Sequence, residues 1–223
     1  RQTERAQRQV DRVVPRAQRA RSAGRLLVVA SPTRSLAAQL LGRPARDVAQ
    51  IAAVTTTLDG RPSTAPVIIL NPALFATMDA RAQQVVMSHE ATHLLVGTSR
   101  NLPAWVAEGF ADFVALHDDR APLSLSAGQI VRQVEDEGAP DALPQQADFD
   151  GTTHGLGATY ESAWMAFRML AERHGTPAVV AFYAAVRDGT DVEVAARQHL
   201  GLSLAQITQQ WRAYLTKSAS IVS

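Results

Sequence analysis

The pentapeptide His89-Glu90-Ala91-Thr92-His93 places two histidines four residues apart with a glutamate beside the first. On a helix, residues i and i+4 stack on one face, so both imidazoles can reach one metal ion while Glu90, about 100° round, points beside it. One turn thereby supplies two ligands and a base. Composition alone produces such a pentapeptide by chance often enough that a second feature has to decide. That feature is Trp105-Val106-Ala107-Glu108-Gly109-Phe110-Ala111-Asp112. A turn over residues 97–102 lets the helix carrying it fold back beside the first, and the Glu108 carboxylate completes a set of two histidines and one glutamate. Three protein ligands leave a fourth position for water, the arrangement of a catalytic rather than a structural zinc. Asp112, one turn beyond Glu108 on the same face, is placed to accept a hydrogen bond from the distal nitrogen of a ligating histidine.

These side chains need two neighbouring helices. From Asp79 as N-cap, the pattern predicts a helix through Val85, Val86, His89, His93 and Val96, stopped at Gly97. Pro103 at a first-turn position opens a second helix through Trp105, Glu108, Asp112 and Leu116, ending at His117-Asp118-Asp119. Upstream, residues 3–22 lean helical with a break at Pro15. Residues 26–30, 51–57 and 65–70 read as strands, with a helix from Ser31-Pro32 to Leu41 and a turn at Asp59-Gly60. Downstream, residues 120–157 hold Pro122, Pro140 and Pro144 and read as an irregular cleft wall, with one helix over 126–137. Helices follow over 158–174, 177–187, 191–199 and 204–216, the last two opened by capping boxes at Thr190/Glu193 and Ser203/Gln206. The expected class is α+β: a small N-terminal mixed sheet, the histidine helix, the Glu108 helix and a mostly helical C-terminal lobe.

With 223 residues, 46% of them hydrophobic, the chain can bury a core of ordinary size. A net charge of +1 gives no support to a nucleic-acid partner. Charge is uneven, however. Residues 1–25 carry eight arginines against Glu4 and Asp11, so residues 1–22 read as a basic arm or helix ahead of a domain over 23–223. Such an arm suits either a solvated helix or contact with an anionic surface, including a membrane. No run of about 20 apolar residues and no signal peptide is visible, although a chain that starts at Arg1 leaves room for a leader or anchor before it. Absence of cysteine excludes disulfides and thiolate ligands, so a metal must be held by histidine and carboxylate, and it fits an extracytoplasmic location.

The two motifs, matched over Val86 to Phe113, resemble the gluzincin metallopeptidases, specifically the peptidase MA-like group with HExxH followed by WxxEGxAD. Tyr160-Glu161-Ser162-Ala163-Trp164, the helix ending at His174-Gly175, and Leu202 to Leu215 resemble the helical second half of that group more weakly. Val96 and Ser99 stand where metzincins have glycine and a third histidine, and no GxMEN-like segment marks an aminopeptidase. The resemblance implies a zincin-like fold, one zinc ion on His89, His93 and Glu108, and hydrolysis of peptides or proteins. Zinc lowers the pKa of water towards about 7, and Glu90 takes its proton and returns it to the leaving amine. Related families supply an oxyanion donor from a downstream tyrosine or histidine, for which Tyr160 is the first candidate and His154 the second. They also align an extended substrate along a sheet edge, expected here at 65–70. A silent zincin-like binding or scaffolding module, free or membrane-tethered, is the alternative.

Other conspicuous residues read as structural. His117, His174 and His199 suit helix C-termini. Trp164, Phe167, Leu170, Trp211 and Leu215 recur at helical spacing and belong to a core, and Trp105 is expected between the sheet and the histidine helix.

Overall fold

The computed structural model describes residues 1–19, 25–44, 46, 48–49, 51–59, 61, 64–99, 101–150 and 155–222. Among the described residues helices dominate, accompanied by one three-stranded mixed sheet, which gives the α+β class expected. Residues 1–98 with 114–117 form one compact unit, and residues 99–113 with 118–223 form another.

In chain order the first unit holds α1 (Gln2–Val13), β1 (Val28–Ala30), α2 (Arg34–Leu41), β2 (Ala53–Thr56), β3 (Val67–Leu70), α3 (Pro72–Phe75) and α4 (Ala80–Val96). Helix α1 packs along α4 and buries Ala6, Gln9, Val10 and Val13, an i, i+3, i+4, i+7 stripe, while Arg5, Arg8 and Arg12 face solvent. It stops before Pro15, and a single 3-10 turn, Arg16–Gln18, follows. Gln9 Nε2 donates to the Val114 carbonyl at 3.0 Å in a buried contact.

Strand β3 pairs parallel with β1 and antiparallel with β2, in the order β1-β3-β2. Val67 and Ile69 pack with Ala37 and Ala38 of α2 and with Val48, while Ile68 points to the other face. Helix α4 contacts both β2 and β3. The expectation of a free edge at 65–70 is therefore corrected: β3 is laddered on both sides, and among the described residues β1 and β2 are the edges. In the β2–β3 connection Asp59 accepts from the Arg61 N–H and the Thr64 hydroxyl, while the Gly60 half of the expected turn lies outside the described residues.

Helix α4 begins as expected. Asp79 Oδ1 accepts the Ala82 N–H at 2.8 Å. It ends at Gly97, whose φ of 85° carries the chain out of the helix at little cost to a residue without Cβ. From Met87 onward only His89 and His93 escape full burial.

The second unit contains most of α5 (Ala104–Ala115), then α6 (Leu123–Ser126), α7 (Gly128–Glu137), α8 (Leu156–His174), α9 (Thr176–Arg187), α10 (Val192–Leu200) and α11 (Leu204–Val222). The Pro103 carbonyl accepts the N–H groups of Val106 and Ala107, which starts α5 where the proline predicted. Gly109 lets α5 approach α8 closely: a Cβ there would stand 2.5 Å from the Ala163 carbonyl oxygen. Phe110 stacks on Tyr183 of α9 with centroids 3.9 Å apart. Trp164, Phe167, Leu170, Trp211 and Leu215 are buried, as their spacing predicts.

Three local expectations change. Trp105 packs on Phe167 and Phe182, within the helical unit, rather than between sheet and histidine helix. The helix expected over 126–137 forms as α7 but starts two residues later, at Gly128, with the short α6 ending just before it at Ser126. Asp191, not Thr190, caps α10 by accepting from Glu193 and Val194, whereas the Ser203/Gln206 box forms as expected. Residues of 130–148 line two cavities within this unit, of about 260 Å³ and 360 Å³.

Candidate metal centre

His89 and His93 occupy successive turns of α4, and their Nε2 atoms lie 3.0 Å apart with the rings nearly perpendicular, at 79°. Two nitrogens bound at ~2.0–2.1 Å to one tetrahedral ion stand about 3.3 Å apart, so the pair already has nearly the required separation. Glu108 contributes a carboxylate oxygen, and the three ligand atoms all lie within 4.8 Å of one another. Each of the three residues is half-buried. The donor chemistry, two imidazoles and one carboxylate, fits zinc among other divalent ions. Among the described residues no other group of three such side chains converges in this way.

Glu90 sits between the ligands in sequence and is buried, with 8% of its surface exposed. A carboxylate so placed needs a hydrogen-bond donor. It has one in Thr55 of β2, whose Oγ1 donates to Glu90 Oε2 at 2.7 Å and also lies 2.9 Å from the Glu90 carbonyl oxygen. The register explains the meeting: Thr55 pairs with Ile68, so both side chains leave the sheet on one face, opposite the Val67 and Ile69 face that packs on α2. Thr92, also fully buried, donates from Oγ1 to the Ser88 carbonyl at 2.8 Å.

Asp112 is half-buried on α5, one turn beyond Glu108. Tyr160 is half-buried near the start of α8, its ring edge-on to Phe149 with centroids 5.1 Å apart. His154 falls in 151–154, outside the described residues. His174 ends α8, with Gly175 at its C-cap, where a cation was expected. Burial pushes the Tyr183 phenol well above its usual range, and the Glu108 charge pushes the same way while Arg187 opposes. Tyr183 therefore stays protonated at any physiological pH.

Two contributors were missing from the sequence reading. Thr55 gave no signal beyond being one β-branched residue in a strand, since only the fold brings it to Glu90. Gly109, by contrast, was visible as the lone glycine inside a helical pattern, a feature that signals close packing.

Comparison with models of known protein families, with curated proteins and with solved structures finds no match.

Proposed function

We propose that this chain is a zinc-dependent peptidase of the gluzincin kind, with a zincin-like fold, that hydrolyses internal bonds of a peptide or protein. The convergence of His89, His93 and Glu108 carries the reading, because two separate helices bring the donor set of a catalytic zinc to one point. An ion held there supplies Lewis acidity toward a carbonyl group and toward water. Glu90, adjacent to a ligand and fixed by Thr55, accepts the proton of the attacking water and delivers it to the departing amine. Asp112 orients a ligating imidazole, and Tyr160 is the candidate donor to the developing oxyanion. The presence of Glu90 next to a ligand favours an enzyme over a silent metal-binding module, which needs no proton acceptor at that position.

The test pairs metal analysis with a peptide-library digest of the wild type and Glu90→Gln. Zinc near one per chain in both, with cleavage by Glu90→Gln down by about a hundredfold or more, is the expected result. Equal cleavage by both defeats the peptidase reading, and stoichiometric zinc without cleavage by the wild type identifies the silent module instead.

A further inference from the structure

Thr55 has one hydroxyl proton and two acceptors within reach, and both belong to Glu90: the carboxylate Oε2 at 2.7 Å and the backbone carbonyl oxygen at 2.9 Å. A single hydroxyl thus bridges the two ends of one residue. Such a bridge restrains the glutamate side chain, which when free samples many rotamers. The charge-assisted contact to the carboxylate is the stronger of the two. Strand β2 holds the hydroxyl still, because Thr55 is locked in the antiparallel ladder opposite Ile68, itself fully buried. The donor is therefore a fixed point on the sheet rather than a mobile side chain on the same helix.

From this geometry we infer that Thr55 is a positioning residue: it sets the direction of the Glu90 carboxylate beside the metal ligands and so governs the chemical step without touching substrate. The inference rests on the peptidase reading above. General-base transfer works only over hydrogen-bond distance, and a misplacement of about 1 Å costs on the order of a hundredfold in rate. Loss of the hydroxyl therefore acts on kcat and leaves the ligand set alone.

The experiment uses the full chain loaded with zinc, and as probe the library peptide that the wild type cleaves fastest. Thr55→Val keeps the size and β-branching of the side chain, so strand β2 tolerates it. Thr55→Ser keeps the hydroxyl. Expected are a kcat about tenfold to a hundredfold lower in Thr55→Val, with KM within about twofold, zinc stoichiometry unchanged, and most of the rate restored in Thr55→Ser. A wild-type kcat in Thr55→Val overturns the positioning role while Glu90→Gln remains impaired. Loss of zinc from Thr55→Val, or failure of Thr55→Ser to recover activity, overturns it also, since either makes the residue a general support of the fold. Full activity in Glu90→Gln, or no turnover by the wild type, removes the peptidase reading itself and this inference with it.

Discussion

Helix α4 keeps Ser88, Glu90 and Thr92 out of solvent, whereas the side chains that α5 buries, from Ala104 and Trp105 to Phe113 and Val114, are all apolar. The His89/His93 helix is tied down by hydrogen bonds from its surroundings and within itself: Thr55 to Glu90, Gln83 to the Phe75 and Met78 carbonyls, Thr92 to Ser88. The Glu108 helix is held by contact, with Gly109 against Ala163, Phe110 on Tyr183 and Trp105 on Phe182. Polar ties are directional and contribute modestly to net stability, while close packing contributes much and tolerates little change in shape. Damage to α5 should therefore register first as lost stability, and damage to the buried polar groups of α4 as lost function.

Gly109→Ala is the most severe way to break this contrast. A Cβ would meet the Phe167 ring and the Ala163 carbonyl oxygen and carbon, and the latter two cannot rotate aside. Overpacking of that kind outweighs the helix-propensity gain, so roughly 2 kcal/mol should be lost and the Tm should fall by about 4–8 °C in a thermal melt. A Tm at or above wild type would mean that α5 and α8 do not approach so closely.

Thr92→Val sharpens the other half. Its hydroxyl doubles a bond that the helix backbone already makes to the Ser88 carbonyl, so denaturant titration should show a change below about 1 kcal/mol despite complete burial. A cost near that of Gly109→Ala would erase the difference between the two helices.

The smallest effect concerns a polar device in the helical unit. Glu161 of α8 accepts the N–H groups of Gln129 and Ile130 at the start of α7, yet burial holds its carboxyl above the ordinary range against those bonds. A carboxyl whose folded pKa is raised stabilises the fold fully below its unfolded value of about 4.5 and loses that contribution as pH rises through the folded value. Chemical denaturation of wild type and Glu161→Gln from pH 4 to 7 should accordingly show the wild-type advantage shrinking as pH increases. A widening gap would reverse the sign assigned to this group.

Much of the site was legible because its spacing is local. Asp79, Gly97 and Pro103 delimit their helices through backbone chemistry that depends on neighbours in sequence, and the i, i+4 relation of His89 and His93 follows from helix geometry alone. Long-range arrangement was harder to read. Strand β3 was expected at an edge, although its uninterrupted Val67-Ile68-Ile69 run is the pattern of a strand covered on both faces. Trp105 carries no mark of which neighbour its ring will meet, because an apolar side chain packs on whatever surface the fold presents. Thr55 shows the limit most clearly, for its partner lies 35 residues away and only the β2–β3 register decides which face its hydroxyl leaves from.

The arginine-rich beginning looks dispensable when judged by charge. Yet Ala6, Val10 and Val13 lie against α4, and Gln9 reaches the Val114 carbonyl. Trimming the protein to a start beyond Val14 would wet the flank of the helix that bears His89 and His93, so kinetics recorded on such a shortened form would describe a different molecule.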